Sequence, residues 1–439
     1  MSVVFWLCRN IQLNMDKATL QALVTVVQQQ SVAVAHVADY LRRKRRNRQR
    51  SVWVRPWICR RFELGIYDRL MVELRNEDPR SFQNFMRMSP AMFDELLTRL
   101  TPRLTKTSTN YRQNLEPGLK LAVTLRHLAS GAKYRELVYG WRLPHNSISK
   151  VVREVCNAIL AEYMEEQLTL PTTEEGWREI SDEWLNRWNF PHTIGAIDGK
   201  HVACKAPPKS GSEYYNYKGF FSVILLACVS ADYKFLWADV SGNGAASDAQ
   251  MFNCSDLRQG LEQDNIMGWP RPDPLPNDTQ DVPYFIVGDD AFSLRTFLMK
   301  PYSTRNMTKE ERIFNYRLSR ARRVVENAFG ILVNRFQVMR TTMEHHPETV
   351  RLIVKTCMVL HNLMRSRYPS LQNQVLERDL ANGDMVPGAW RIGQNLADTI
   401  EVQAPNRDSK EGKKQRNLLK HWCNSPVGAV PWQERMVYV

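Results

Sequence analysis

The sequence of 439 residues lacks the features of membrane-spanning and disulfide-bonded proteins. It contains no apolar run close to the roughly 18 residues that a membrane span needs. Its eight cysteines are widely spaced and include no Cys-x-x-Cys pair, which argues against a disulfide scaffold or a zinc ribbon. We therefore expect an intracellular protein that does not enter a membrane.

Acidic residues are missing from one short segment, and the positive charge is concentrated there. The chain has 60 Lys and Arg against 46 Asp and Glu, a net charge of +14, and ten of the basic residues lie between Arg42 and Arg61. Such a segment can contact nucleic-acid phosphates, act as a nuclear-import signal, or serve as a solvated basic linker. The DNA-contacting residues that we predict in it are Arg42, Arg43, Lys44, Arg45, Arg46, Arg48 and Arg50.

The patterns along the rest of the chain predict an α/β protein with a separate helical region. Residues 63–165 have apolar positions at three- and four-residue steps, which is typical of helices. After residue 190 the pattern changes to strands, and after Pro369 it becomes polar and irregular. The predicted segments are a helical segment at 1–40, a basic arm at 41–62, a helical domain at 63–165, an α/β domain at 166–365 and a polar tail at 366–439.

Three consecutive strands are predicted at 192–205, 220–230 and 235–240. A tight turn at 231–234 joins the last two, so we expect an antiparallel meander. A short buried strand follows at 284–288, and a long amphipathic helix at 317–336 comes later. This order predicts a mixed sheet flanked by helices.

The last helix of the helical domain is a candidate DNA-recognition helix. It begins near Ser147, after a break at Pro144, and a shorter helix at 134–141 precedes it. This is helix-turn-helix spacing, although a plain helical bundle produces the same pattern. The predicted outer face carries groups that bond phosphates and base edges, namely Asn146, Ser149, Lys150 and Arg153.

Three acids stand at positions where a reaction site is expected. Asp198 interrupts an otherwise apolar strand, and Asp289 directly follows the strand that ends at Gly288. Acids at the carboxyl ends of strands face the crevice in which α/β sheets bind ligands. Glu326 lies beside the apolar stripe of the long helix. The alternatives are that each Asp caps a turn and that Glu326 pairs with an arginine one helical turn earlier.

Carboxylates in such a group suit the cleavage of phosphodiesters. Two Mg²⁺ ions about 3.5–4 Å apart can stabilise the attacking and the leaving oxygen of this reaction. Mg²⁺ prefers hard oxygen ligands, and a few carboxylates suffice to hold it. Carboxylates that face one another without a cation repel, and this cost in stability argues against a purely structural purpose.

The residues around the three acids resemble the catalytic blocks of PIF/Harbinger-type DDE transposases. The matching segments, in order, are 189–191 with 195–201, 287–292 with 298–302, and 320–330 with 335–336. The resemblance implies a ribonuclease H-like fold in which Asp198, Asp289 and Glu326 are the catalytic, metal-binding triad for Mg²⁺ or Mn²⁺, with two ions. Asp290 stands where the family usually has a small residue, and we assign the ligand to Asp289 because it directly follows Gly288.

The resemblance also implies a function. It is that of a DNA transposase or endonuclease that cleaves double-stranded DNA at transposon ends and joins the freed 3′-hydroxyl to target DNA. The family further implies a Myb-like DNA-binding partner protein, and the joining of two ends implies a homodimer. We expect the protein in the nucleus, or in the cytoplasm without that partner.

Two other functions remain open. A domesticated DNA-binding or adaptor protein would keep the transposase fold without its reaction. An RNA-directed ribonuclease H would share the carboxylates, but the helical region and the basic segment argue against it.

Overall fold

The computed structural model describes residues 17–46, 54–106, 114–264, 266–368, 378–379, 385–386, 388 and 408–437. The chain divides into two compact units, residues 1–59 and residues 60–439. The first unit contains helix α1 (Lys17–Arg46) and the single turn α2 (Pro56–Cys59). Within the described ranges, no helix combines the length and the hydropathy that crossing a membrane would require.

The second unit begins with helices whose apolar faces share one core, as their periodicity predicts. Two of these helices begin at well-defined caps, where the side chains of Asp78 and Ser89 accept backbone N–H groups and a proline follows. The helices are α3 (Arg61–Leu64), α4 (Leu70–Glu77), α5 (Pro79–Met86), α6 (Pro90–Leu104), α7 (Pro117–Ser130), α8 (Tyr134–Trp141), α9 (His145–Gln167) and α10 (Glu174–Trp188).

A five-stranded mixed sheet follows, and it confirms the predicted α/β class. Its strands are β1 (Thr193–Ala203), β2 (Ser222–Val229), β3 (Phe235–Asp239), β6 (Phe285–Val287) and β7 (Leu298–Met299). The strand order is β3-β2-β1-β6-β7. Strands β1 to β3 form the predicted antiparallel meander, whereas β6 and β7 run parallel to β1. Two further two-residue pairs are β4 (Asp273–Pro274) with β5 (Asp281–Val282), and β8 (Arg378–Asp379) with β9 (Met385–Val386).

Helices cover both faces of the sheet because neighbouring residues of each strand point to opposite sides. On one face, Ile197 packs in a core with Met251 and Phe252 of helix α11 (Asp248–Asn253), and helix α12 (Asp256–Glu262) follows. On the other face, Ala196 belongs to the core that includes Val325 of the long helix α13 (Lys309–Arg335). A 3₁₀ turn at Gln337–Arg340 leads to helix α14 (Pro347–Arg367).

Residues 408–437 do not form the irregular polar tail that the composition predicts. Helix α15 (Lys410–Asn424) buries Leu419, Trp422 and Cys423, and a 3₁₀ turn follows at Arg435–Val437. Helix α15 packs against α13. The sequence pattern missed it because these few apolar positions lie in a stretch dominated by Lys, Arg, Gln and Asn, whose long side chains cover the rest of the helix.

Candidate active site

Asp198 lies on β1, and Asp289 lies two residues beyond the end of the neighbouring parallel strand β6. Ala196 of β1 is in register with Val287 of β6, and Asp198 and Asp289 each follow two residues later. Because side chains alternate, each acid shares the face of the residue two positions before it. Ala196 and Val287 both belong to the core beneath α13. The strand pairing therefore brings the two carboxylates side by side on the helix-covered face of the sheet.

Glu326 lies on helix α13, which packs against this face. It follows the buried Val325 and is itself half-buried. Its Oε1 accepts a hydrogen bond of 3.0 Å from the Arg322 guanidinium, so the ion pair considered as an alternative does form. The pair does not remove Glu326 from the site, because the Glu326 carboxylate also raises the pKa of Asp198. The structure thus brings the three predicted acids into one electrostatic group.

Two residues of this group were not assigned to it from the sequence. Asp248 is the first residue of α11, and the N-cap before it is Ser247, whose side chain accepts a hydrogen bond from the Gln250 N–H. The Asp248 carboxylate lies against Gly199, where an added Cβ would overlap it. The sequence signal for this position is the Ser-Asp-Ala segment at 247–249, which follows a loop rich in Gly and Ser. Arg322, predicted only as a partner for Glu326, also acts on Asp198 and Asp289.

The electrostatics of the group favour the binding of a cation. Burial raises the pKa of Asp198 well above its usual range, and the Asp289, Asp248 and Glu326 carboxylates raise it further, against the opposing effect of Arg322. Burial also raises the pKa of Asp289, although Arg322 and a hydrogen bond from the Ala291 N–H oppose this. These directions mean that the ionised carboxylates destabilise one another.

Asp290 has different surroundings from Asp289. Its side chain is 45% exposed and lies 3.4 Å from the Nζ of Lys300, a lysine whose side chain is 8% exposed. Lys300 also pairs at 3.1 Å with Asp408, at the start of the C-terminal segment. The Asp408 carboxylate accepts from the Leu294 N–H as well. Residues 408–437 therefore brace the loop that carries Asp289, and Lys300 draws Asp290 away from the other acids.

The chemistry of these residues suits a divalent metal ion, although their present positions are not those of ligands. Asp198, Asp289, Glu326 and Asp248 offer hard carboxylate oxygens in a half-buried site, which is the donor type that Mg²⁺ and Mn²⁺ prefer. Among the described residues, no three His, Cys, Asp or Glu side chains are placed to hold one ion together. Side-chain rotation would have to bring the oxygens together.

The predicted recognition-helix residues lie as their spacing indicates. Asn146, Lys150 and Arg153 are exposed on α9 and Ser149 is half-buried, while the apolar positions of this helix face the core. Arg142–Pro144 form the turn between α8 and α9. The described residues thus include the two helices of the predicted motif, but DNA contact by this face stays a prediction.

Only part of the predicted basic arm falls within the described residues. Helix α1 continues to Arg46, and Arg42 is exposed in its last turns. The backbone of Arg43, Lys44, Arg45 and Arg46 is helical. Arg48 and Arg50 lie outside the described residues.

Comparison with known proteins gives consistent matches. Residues 197–362, which include all three predicted acids, match a family described as "DDE superfamily endonuclease". The protein named "Putative nuclease HARBI1" from Xenopus laevis is 25% identical over 62% of this chain and 75% of its own length. Its Homo sapiens counterpart is 24% identical over 62% and 74%. "Protein ALP1-like" from Arabidopsis thaliana is 25% identical over 65% and 71%. No solved structure matches the chain.

The family match at 197–362 covers most of the sheet, the three acids and helix α13. The matches agree with the resemblance that the motifs indicated, and the order of the structural elements is compatible with it. Residues 197–362 therefore match the DDE superfamily endonucleases, and the chain is similar to the HARBI1 nucleases, in agreement with the predicted resemblance to the Harbinger-type DDE family.

Proposed function

We propose that the protein is a metal-dependent DNA endonuclease with a ribonuclease H-like catalytic domain, and that it acts as a DNA transposase. The observation that carries the proposal is the register of β1 and β6, which brings Asp198 and Asp289 side by side beneath the helix that bears Glu326. A sheet of three antiparallel strands followed by two strands parallel to the first supports the ribonuclease H-like assignment.

Asp198, Asp289 and Glu326 would hold Mg²⁺ or Mn²⁺, with two ions expected. When bound, the ions supply positive charge that stabilises the attacking and leaving oxygens of a phosphodiester. Within the chain, burial and mutual repulsion keep the carboxylates poised to accept that charge. Arg322 lies among them and offers guanidinium donors to a phosphate oxygen of the DNA strand.

DNA would be positioned by residues outside the acid group. The exposed Asn146, Lys150 and Arg153 on α9 and the basic residues after Arg42 are the predicted contacts. We propose that the 3′-hydroxyl freed by cleavage is joined to target DNA in the same site. Joining two ends favours a homodimer, and a Myb-like partner protein and a nuclear location complete the proposal.

The test is a cleavage assay on double-stranded DNA that carries the ends of the element, with Mg²⁺, with Mn²⁺ and with chelator. Asp198→Asn, Asp289→Asn and Glu326→Gln should each abolish cleavage and leave DNA affinity largely unchanged. Asp290→Asn is the matched control, because Lys300 draws this neighbouring carboxylate away from the others. Normal cleavage by the three variants would show that the triad is wrong.

The second candidate is a domesticated DNA-binding or adaptor protein. It is favoured by the positions of the carboxylates, since no three ligand-type side chains in the described part of the chain are placed to hold one ion. In this case the wild-type protein would bind DNA but leave it intact with either metal. A titration with Mn²⁺, followed by thermal unfolding, distinguishes the endonuclease from the adaptor protein. A functional metal site should raise the unfolding temperature of the wild type as Mn²⁺ is added, and the Asp198→Asn variant should show no such increase.

A further inference from the structure

A cavity of about 300 Å³ lies at a distance from the acid group. It is formed by α5, the start of α6, and the C-terminal ends of α13 and α14. Arg335 reaches it from the same helix that carries Glu326, about 14 Å further along the helix axis at 1.5 Å per residue. The cavity therefore belongs to the rigid frame of the catalytic domain but not to its acids.

The polar lining of this cavity is basic. The residues that line it include Arg80, Arg87 and Arg335, with Asn84, Asn334 and Ser89. Within the described parts of the chain, no Asp or Glu lines it. The remaining lining is largely apolar and includes methionines of α6 and α14. A site of this kind offers many N–H donors and no competing negative charge.

Two of the lining arginines, Arg87 and Arg335, are affected by burial and by other arginines nearby. Burial and the neighbouring Arg365 lower the pKa of Arg335 to about 9. Burial and Arg340 lower the pKa of Arg87, and Arg87 in turn contributes to the lowered pKa of Arg126. Burial and nearby positive charge therefore disfavour the charged forms of Arg87 and Arg335, and no acid among the described lining residues opposes this.

Part of the donor capacity is also unused. Arg87 donates to Asn84 Oδ1 at 2.8 Å, but its buried Nε has no hydrogen-bond partner among the described residues. The polar neighbour of Arg335 is Nδ1 of His361 at 3.5 Å. Burial keeps the pKa of His361 well below its ordinary value. An imidazole is either neutral or positively charged, so His361 does not balance the charge of Arg335.

Helix ends explain only part of this arrangement. Arg87 directly follows the C-terminus of α5, and Arg335 is the last residue of α13, where the carbonyl ends of a helix attract cations. This attraction accounts for a single cation at each helix. It does not account for three arginines around one cavity whose described lining includes no Asp or Glu.

We propose that this cavity binds a phosphate group. The forked donors of arginine match the geometry of phosphate oxygens, and the asparagine amides supply further hydrogen bonds. The phosphate belongs either to the backbone of bound DNA or to a small free ligand, because both present the same chemistry. Binding at this cavity requires neither cleavage nor metal, so it stands independently of the proposed function.

The first experiment titrates inorganic phosphate into the full-length protein and follows thermal unfolding, with chloride at equal ionic strength as the reference. Ser89 is the N-cap of α6, and Asp and Asn are both good N-caps, so either substitution leaves the helix start intact. Ser89→Asp introduces a carboxylate that forms ion pairs with the cavity arginines in place of a phosphate. It should weaken phosphate binding at least tenfold and raise the unfolding temperature without phosphate. Ser89→Asn, which adds no charge, should retain both wild-type values.

The second experiment measures affinity for a DNA duplex over a range of salt concentrations. If the phosphate is part of the DNA backbone, Ser89→Asp should reduce the slope of log K against log salt by about one. Thr279→Asp, which adds the same charge at an exposed loop position, should not. If the ligand is a small phosphate, the duplex affinity stays unchanged and only the phosphate titration responds.

Arg335→Gln provides an independent check on the same cavity. This variant should also weaken phosphate binding. Because Arg335 is partly buried, circular dichroism must first show that the variant folds. If Arg335→Gln does not fold, the Ser89 variants alone decide the question. Wild-type responses to both phosphate and duplex in Ser89→Asp would overturn the proposal.

Discussion

Residues 408–437 are attached to the loop that carries Asp289 by an ion pair whose contribution to stability can be measured. Lys300 is 8% exposed and lies 3.1 Å from Asp408 and 3.4 Å from the more exposed Asp290. Removing one partner of a buried pair costs about 3–5 kcal/mol. Because Asp290 still pairs with Lys300, we expect loss of the Asp408 charge to lower the free energy of unfolding by less, about 2 kcal/mol. Loss of the hydrogen bond to the Leu294 N–H adds about 1 kcal/mol.

These values predict that Asp408→Ala lowers the free energy of unfolding by about 3 kcal/mol, and that Asp408→Asn, which keeps the acceptor oxygen, lowers it by about 2 kcal/mol. The matched control is Glu434→Ala. Glu434 also ties the C-terminal segment to the domain, through a pair with Lys309 at 2.9 Å, but these side chains are 65% and 46% exposed. Such a pair is worth at most about 1 kcal/mol.

The assay is urea unfolding of the full chain followed by tryptophan fluorescence, and the chain contains 12 tryptophans for this purpose. Asp408→Ala should shift the transition midpoint well below that of Glu434→Ala, with the slope of each transition unchanged. Equal effects of the two substitutions would refute the reasoning, because burial would then not determine the strength of this attachment.

Three further predictions concern the acid group and the helical region. Without added metal, Asp198→Asn should unfold at a higher temperature than the wild type while losing cleavage. The substitution removes a carboxylate whose ionised form is disfavoured by burial and by the nearby Asp289. A lower unfolding temperature would contradict this. Gly199→Ala should destabilise the protein through overlap with the Asp248 carboxylate, and the double variant with Asp248→Ala should recover part of the loss in a double-mutant cycle. Burial lowers the pKa of His127 from 6.5 to about 4, so the unfolded chain takes up this proton first and stability falls as the pH drops from about 6.5 towards 4. Between pH 7 and pH 5 this histidine should lower the free energy of unfolding by about 2 kcal/mol. Urea unfolding of His127→Asn should therefore show a correspondingly weaker pH dependence. A pH dependence equal to that of the wild type would contradict the assignment.

Much of the fold can be predicted from the sequence where the pattern is long and regular. The meander of β1 to β3 and the helices α7 to α9 are where the apolar periodicity indicates. Strand β7, with two residues, is too short to show any period, and its place in the sheet depends on pairing with β6. Helix α15 was missed because its few buried positions depend on the presence of α13 as a packing surface.

The same distinction applies to the candidate site. Asp198, Asp289 and Glu326 could be found because each interrupts or follows a recognisable apolar element. The position of Asp248 against Gly199 could not, because the loop before α11 shows no period that fixes its direction. The arginine cavity could not be predicted from the sequence either, because its lining residues lie between Arg80 and Tyr368 and only the tertiary structure brings them together.

The bracing of the Asp289 loop by residues 408–437 has a consequence for the order of events during synthesis. A nascent chain already contains all three acids once Glu326 has left the ribosome, but Lys300 still lacks its partner Asp408. The loop that carries Asp289 therefore gains this contact only after residues 408–437 have been synthesised and have docked against it. A chain interrupted before Asp408 would contain all three acids but would lack the contact that braces one of them.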